Sequence, residues 1–430
     1  MKSGSLKRLL LPVLLCTAAT GAFFGLPRLL KRSATAEAPA GSPRYTDEIL
    51  QDPVPPLPAV ADADNGWLLA KQLPPKETPK ALTAKGLMVP GDEQFEESPG
   101  VDRNALAECL EKDVELVAMG RRVLQLPAWQ RADWSAKDLM NGRYDARILF
   151  PAQVILAQAM AKALDGHVNE AWPDILLVIK AGHRISAAGG PAIDLLMGRT
   201  LFGNAVRTAA WAGKQSPDSA TARRLAADLL AFEDCSAFYT RSVEGEVRWL
   251  RERNRLFASG GEPLEQALLD LYGGTEDPSG HTREQMQKAA QTDWSTASHA
   301  LADVFNRARQ VPVTTWADYR KSHPAVENEQ SVEADLEPVF SFSYAIAIRS
   351  TASVRMARVS LLLRAWMYDH NGQLPKRLDA LVPEYLPELP VDPFTGQPMR
   401  LNEEKLWCAD VNLTDDGGET ANGKDLVQEL

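Results

Sequence analysis

The sequence predicts a mainly α-helical protein with an N-terminal membrane helix, a body of helical hairpins and a small C-terminal α+β module. Three observations lead to this fold class. Apolar residues recur at the helical period through most of the chain, strand-like alternation is nearly absent before residue 370, and prolines crowd the segment after the last long helical pattern. We expect four parts: a signal anchor at 1–32, a flexible Pro- and Ala-rich spacer at 33–65, an α-helical body at 66–340, and a long helix with a small β module at 341–430.

The first 32 residues predict a membrane anchor. A basic start precedes an apolar run from Leu9 to Leu26, whose 18 residues lie near the lower limit for a helix that spans a bilayer. A cleaved signal peptide and a merely buried helix are the alternatives, and SATAEA offers a cleavage site after Ala36. An uncleaved single-pass anchor is favoured, because positive charge between the apolar run and that site disfavours export. The basic residues in that interval are Arg28, Lys31 and Arg32.

An anchor of this kind predicts a cell-membrane protein whose body lies on the periplasmic or extracytoplasmic side. Basic residues flank both ends of the apolar run, so the positive-inside rule adds little to this orientation. The spacer contains DPVPPLPAVADAD, a composition that cannot pack a core and that would hold the body away from the membrane. The membrane is therefore one expected partner, and other envelope proteins are the expected others.

The charge distribution argues against nucleic-acid binding. The formal net charge is −10, and residues 1–32 carry six basic side chains and no acidic one, so the rest of the chain carries −16. An acidic body repels phosphate backbones, and no basic stripe with interleaved aromatic residues occurs in the sequence.

Known catalytic and cofactor motifs are missing from the sequence. It has no GxSxG elbow, no HExxH pair and no GxGxxG after a strand. The segment GETANGKD approaches a phosphate loop, but Asp425 replaces the Ser or Thr that would bind magnesium. We therefore predict no catalytic residue and no cofactor.

The cysteines and histidines also fail to form a recognisable site. The four cysteines form no CxxC pair, so no disulfide framework is expected. Lipid attachment at Cys16 is disfavoured, because Leu15 stands where such sites usually have a small residue. No two of the six histidines are three or four residues apart, so each is interpreted as a surface or turn residue: His167, His183, His281, His299, His323 and His370.

Helical patterns dominate the body. DRNALAECLEKDVELVAMGRRVLQL predicts one helix, and the segment 144–185 predicts two antiparallel helices with a turn at Asp165 to His167. This pair is similar to a tetratricopeptide-type hairpin, although no 34-residue period recurs. PAIDLLMGRTLFGNAVRTAAWAG predicts a helix ending at Gly213, and Ser216 is expected to cap the next helix, with Pro217 at its first position.

One helical segment, RSVEGEVRWLRERNR, concentrates charged residues. Its paired carboxylates could act in acid–base chemistry. The favoured interpretation is a solvated helix face with ion pairs between residues four apart, such as Glu244 and Arg248.

The C-terminal fifth begins with an apolar stripe that predicts a helix from about Tyr344 to His370, ended by Asn371-Gly372. LDALV, YLPELPVDPFTGQPMRL and LWCADVNLTDDGGE then follow. This order resembles the C-terminal module of type II secretion major pseudopilins, over about residues 344–430. The resemblance implies a small sheet and calcium binding at Asp410, Asp416 and Asp425.

Two features separate this chain from a pilus subunit. The module follows a large helical body, and no acidic residue occurs in 1–32. The oxygen-rich segment around Asp410 also fails the EF-hand pattern, because its sixth position is not Gly, and a plain polar turn is the favoured alternative to a calcium loop. Its candidate ligands are Asp410, Asn412, Asp415, Asp416 and Glu419.

Taken from the sequence, the function is that of a membrane-anchored, envelope-exposed and non-enzymatic helical scaffold or binding protein. A second interpretation is an accessory component of a secretion or pilus machine that assembles through the pseudopilin-like module. A third is an envelope hydrolase that uses scattered acidic residues.

Overall fold

A computed structural model describes residues 57, 59–79, 82, 101–131, 146–259, 302, 305–323, 332–419 and 425–430. The predicted membrane anchor and most of the predicted spacer lie outside these residues. Within the described part of the chain, no helix is both long enough and apolar enough to cross a membrane.

The described residues are mainly helical, as the sequence predicts. They contain ten α-helices and one three-stranded antiparallel sheet with the order β1-β2-β3. The helices are α1 Gly66–Ala70, α2 Arg103–Lys112, α3 Val114–Gln125, α4 Leu149–Leu164, α5 Val168–Ser186, α6 Ala192–Gly213, α7 Ser219–Leu230, α8 Ser236–Ser259, α9 Trp316–Ser322 and α10 Val332–Asp369. The strands are β1 Arg400–Leu401, β2 Lys405–Cys408 and β3 Leu426–Glu429.

Helix α6 is the centre of the body. It packs against α4, α5, α8 and α10, and most of its residues are buried on every side. A helix that is apolar nearly all round can be stable in water only inside such a shell. One core cluster then extends from Trp67 in α1 to Leu426 in β3.

Two glycines let α5 and α6 approach each other closely. A Cβ atom added to Gly198 would lie 2.5 Å from the backbone N of Ser186, and one added to Gly182 would lie 2.5 Å from the backbone N of Phe202. Real Cβ contacts are never this short, so any side chain at either position would push the two helices apart.

The predicted hairpin of α4 and α5 is confirmed, with its turn at Asp165 to His167. Two other helix boundaries were predicted wrongly. The segment 102–126 forms two helices, α2 and α3, that are separated at Asp113. Helix α7 is capped by Asp218, whose carboxylate accepts from the backbone N–H of Thr221 at 2.7 Å, whereas the Ser216 hydroxyl donates to the Gly213 carbonyl.

Helix α10 is longer than predicted. It begins at Val332 rather than near Tyr344, because acidic residues and a proline in 332–338 hide the helical pattern there. Its end is as predicted: Asn371 and Gly372 have positive φ angles of 54° and 81°, and the N–H of Gly372 donates to the Met367 carbonyl at 2.7 Å. The predicted domain boundary at 340/341 therefore lies inside one continuous helix.

The segment after α10, which we call the tail (370–419 and 425–430), folds around a buried carboxylate. Asp392 of the DPFTGQP turn is fully buried. It accepts from the N–H groups of Phe394 at 2.8 Å and Ala409 at 3.0 Å, and from the Thr395 hydroxyl at 2.9 Å. The proline-rich stretch is therefore an ordered turn that connects the 3₁₀ segment Leu378–Leu381 to the sheet.

Candidate functional site

A cavity of about 80 Å³ lies where the body meets the tail. Its walls come from α6, α10 and β3. We call it the arginine cavity, because Arg199 and Arg207 of α6 and Arg349 of α10 line it.

Helix α6 determines how two of these arginines face the cavity. Arg199, Gly203 and Arg207 are spaced four residues apart, so they lie on successive turns of nearly the same face of α6. A Cβ atom added to Gly203 would meet nothing within 4 Å, so the glycine leaves open space between the two arginines. The Arg207 guanidinium also donates to the Asn204 side-chain oxygen at 2.5 Å.

The third arginine is held by a buried carboxylate of the tail. Arg349 donates through Nε and Nη2 to the two oxygens of Asp410, at 2.9 and 2.7 Å. Only 1% of the Asp410 side chain is exposed, against 25% for Arg349. This two-point pair fixes the plane of the guanidinium and joins α10 to the segment after β2.

The rest of the cavity wall mixes apolar and neutral polar side chains. Phe202 and Met356 supply apolar surface, and Ser350 and Gln428 are buried polar residues with 3% and 4% exposure. The lining residues include three arginines and no Asp or Glu. The cavity wall therefore combines cationic, neutral polar and apolar side chains.

A second group of buried charges lies at the start of α6, and we call it the acid cluster: Asp194, Glu246, Arg131 and Arg253. Asp194 accepts two hydrogen bonds of 2.7 Å from Arg131, and the two side chains are 1% and 9% exposed. Burial raises the pKa of Asp194, and the charge of Arg131 opposes that rise. The Arg131 guanidinium also lies 4.8 Å from the centre of the Trp67 ring.

Glu246 completes the acid cluster from α8. Burial raises its pKa to about 7, while a hydrogen bond of 3.0 Å from the Ala192 N–H favours the ionised form. The expected ion pair of Glu244 with Arg248 is present at 3.6 Å. The prediction of a solvated helix face is nevertheless wrong for Glu246 and Arg253, which are 3% and 2% exposed, because this part of α8 packs against the turn before α6.

Charged side chains also fasten the tail to the body. Glu233 accepts from Arg355 and Arg358 of α10 at 2.6 Å each, and Arg355 donates as well to the Val391 carbonyl of the tail. The carboxylate therefore holds α10 in place beside the start of α8.

A second network lies at the end of α10. The Tyr385 hydroxyl donates to Asp369 at 2.7 Å, and this bond, together with those from Ser219 and Arg223, lowers the pKa of that carboxyl to about 2. Arg223 of α7 pairs with both Asp369 and Glu384 at 3.0 Å. Within these two networks, the contacts of Arg355 with Val391, of Arg223 with Glu384 and of Tyr385 with Asp369 join the tail to the body.

The predicted calcium ligands have other partners. Asp410 binds Arg349, and one oxygen of Asp425 accepts from the N–H groups of Asp416 at 3.0 Å and Gly418 at 2.7 Å. Among the described residues, no group of three or more His, Cys, Asp or Glu side chains could hold a metal ion. Asn412 donates to Asp416 at 2.8 Å, in keeping with a polar turn.

The three described cysteines are buried, as expected, but one of the described histidines is not at a surface or turn position; Cys16, His281 and His299 lie outside the described residues. Cys109, Cys235 and Cys408 are free and buried. The prediction of a surface or turn position is wrong for His183, which lies in α5 with its ring centre 5.1 Å from that of Phe238. Burial lowers the pKa of His183.

The sequence analysis did not select the residues of the arginine cavity. The available signal was Arg-x₃-Gly-x₃-Arg on an otherwise apolar helix at 199–207. Two charges on a helix with buried neighbours require either partners or a cavity, and the glycine between them indicates open space. Comparisons with protein-family models, curated proteins and solved structures gave no match for this chain.

Proposed function

We propose that this chain is a membrane-anchored, envelope-exposed binding protein without a catalytic role, and that the arginine cavity is its ligand site. One observation carries the proposal. The cavity has walls from the body and from the tail, so the two parts must be joined for the site to exist. The Arg349–Asp410 and Arg223–Glu384 ion pairs and the hydrogen bond from Arg355 to the Val391 carbonyl supply that join.

Three of the described carboxylates have fixed partners, which favours a structural role for these three over hydrolysis. Asp194 and Glu233 are each held by arginine, and Glu246 accepts from a backbone N–H. Carboxylates that have such fixed partners stabilise the fold. A hydrolase needs a carboxylate that can reach a substrate or a water molecule.

The proposed location of the chain in the cell membrane rests on the sequence. The basic start, the apolar run from Leu9 to Leu26 and the following spacer support a single-pass anchor with the body on the extracytoplasmic side. The described body begins beside this spacer, where the side chain of Asn65 accepts from the N–H of Gln130 at 3.1 Å and donates to its carbonyl at 2.8 Å.

Binding is tested on the full chain in detergent, using a set of small anionic, neutral and cationic molecules and thermal unfolding as the readout. We expect at least one molecule to raise the melting temperature of the wild type in a saturable way. The same molecule should stabilise Gly203→Ala but not Gly203→Leu, because the longer side chain fills the cavity. If no molecule behaves in this way, the proposed function is wrong.

The anchor and the partners are tested separately. Extraction of the chain from membranes by detergent but not by alkali, together with protease access from the outer side, is the expected result for a single-pass anchor. Recovery of the chain with soluble proteins would contradict it. Co-purification with secretion proteins that is lost on deletion of 371–430 would favour the machine accessory instead.

A further inference from the structure

We propose that Asn412 is an acceptor for an N-linked glycan, which is transferred to its side-chain nitrogen from an oligosaccharide carried on a lipid diphosphate. This inference rests on one part of the proposed function, the extracytoplasmic location of the body. It is independent of the ligand that the arginine cavity binds.

The residues that follow Asn412 match the acceptor pattern. N-glycosylation requires Asn-x-Ser or Asn-x-Thr, in which x is any residue except proline. Asn412-Leu413-Thr414 fits this pattern and is the one such triplet in the sequence. It lies in the tail, in the segment between β2 and β3. A triplet of this kind accepts a glycan where the folded chain exposes it at the surface.

The two side chains that define the triplet are exposed, on a loop whose base is anchored. Asn412 and Thr414 are both exposed. At the base of the loop, Asp410 is 1% exposed, and the Trp316 indole N–H donates to the Val411 carbonyl at 2.9 Å. A transferring enzyme therefore reaches Asn412 and Thr414 without unfolding the sheet behind them.

The backbone turns sharply between these two residues. Leu413 has a positive φ of 59°. The side-chain oxygen of Asn412 accepts from the Thr414 N–H at 3.0 Å, which makes an Asx-turn, and the Thr414 hydroxyl donates to the Asn412 carbonyl at 3.4 Å. The turn brings the carboxamide and the hydroxyl together, so one enzyme site can contact both groups.

The carboxamide nitrogen of Asn412 lies beside a carboxylate. It donates to an oxygen of Asp416 at 2.8 Å. An amide nitrogen is a weak nucleophile, because resonance delocalises its electron pair into the carbonyl. A hydrogen bond to a charged acceptor polarises the N–H bond and returns electron density to the nitrogen. The carboxamide has two N–H groups, so the one that Asp416 does not bind is available for substitution.

The transfer balances without an oxidant or a reductant. The Asn412 nitrogen forms a bond to the anomeric carbon of the first sugar. The bond between that carbon and the diphosphate oxygen breaks, and its electron pair leaves with the lipid diphosphate. The amide nitrogen gives one proton to a base of the transferring enzyme. The product carries a bulky, solubilising group on the surface of the tail.

The test uses the full chain isolated from the membranes of the cells that make it naturally, and mass spectrometry of the peptide that contains residues 410–419. We expect wild-type molecules that carry a sugar chain on Asn412. Asn412→Gln and Thr414→Ala should lose the modified species completely. Thr414→Ser is the matched control and should keep it, because serine retains the hydroxyl of the pattern.

Thermal unfolding separates loss of the acceptor from loss of the fold. Asn412 and Thr414 are exposed, so the unmodified forms of all three variants should unfold at nearly the same temperature as the unmodified wild type.

Two outcomes overturn the inference. The first is an unmodified 410–419 peptide in every wild-type molecule; if protease still reaches the body from the outer side, the proposed location stands and the glycan alone is wrong. The second is a sugar chain that persists in both Asn412→Gln and Thr414→Ala, which would put the modification on another residue.

Discussion

The acid cluster and the arginine cavity lie at two places along α6 and differ in how tightly the residues around them are packed. Asp194 is near the start of α6, is 1% exposed and binds Arg131 at two points, in a tightly packed region. Arg199 and Arg207 lie one to four turns later, where Gly203 leaves space. Removing one partner of the buried pair would leave an uncompensated charge, whereas the cavity beside Gly203 has room for an added side chain.

The largest expected effect comes from breaking the acid cluster. Arg131→Ala leaves the Asp194 carboxylate buried without its partner, which should lower the free energy of unfolding by about 3–5 kcal/mol. Urea denaturation measures the free energy of unfolding of the variant and of the wild type. Arg103→Ala is the matched control, because it removes an arginine that pairs with an exposed aspartate, Asp165, and should leave the urea midpoint almost unchanged. Equal losses in the two variants would contradict the assignment of Arg131.

The next effect is a pH dependence. Burial raises the pKa of Glu246 from 4.5 to about 7, so the folded state binds the proton more tightly than the unfolded state. The stability that this proton contributes is complete below pH 4.5 and is lost as the pH rises through about 7.

Glu246→Gln removes this titration. Relative to the wild type, the variant should gain on the order of 2–3 kcal/mol between pH 5 and pH 8. Denaturation at several pH values in that interval measures the difference. Parallel stability curves for the two proteins would show that Glu246 does not titrate differently in the folded state.

A smaller effect is expected from a change in the packing of α5 against α6 that alters no charge. Gly198→Ala places a methyl group 2.5 Å from the backbone N of Ser186, and the displacement of α5 should cost about 1–3 kcal/mol. Thermal unfolding gives the change. A neutral result would mean that the close approach of the two helices is not required for the fold.

The smallest effect has the opposite sign. Gly203→Ala lies on the same helix five residues later, where the added methyl group meets nothing, so it should stabilise the protein by about 0.5–1 kcal/mol through helix propensity. The same unfolding assay compares it with Gly198→Ala. Destabilisation at position 203 would indicate that the cavity wall is closer than the structure has it.

Local patterns in the sequence predicted much of the fold. The alanines of α4 and the Asp-Gly-His turn indicated the α4–α5 hairpin, Gly213 ended α6, and Asn371-Gly372 ended α10. Each depends on residues within a few positions, where backbone preference and helical spacing act directly. The likeness of the tail to pseudopilins stays a prediction, as does the anchor.

The sequence could not predict either charged region, because their partners are far apart along the chain. Arg131 and Asp194 are 63 residues apart, the Ala192 N–H and Glu246 are 54 apart, and Arg349 and Asp410 are 61 apart. Counting charges on one helix cannot show which of them will meet a partner from another element. For the same reason, α8 was predicted to be a solvated face although part of it is buried.

By itself, the sequence determined the helical character of the described chain, the ends of several helices and the proline-rich turn after α10, because these follow from local backbone preference and apolar spacing. Only the tertiary structure decided which charges are buried, that Asp410 binds an arginine, and that the tail closes a cavity against α6. The physical reason is that burial and ion pairing depend on the packing of distant elements.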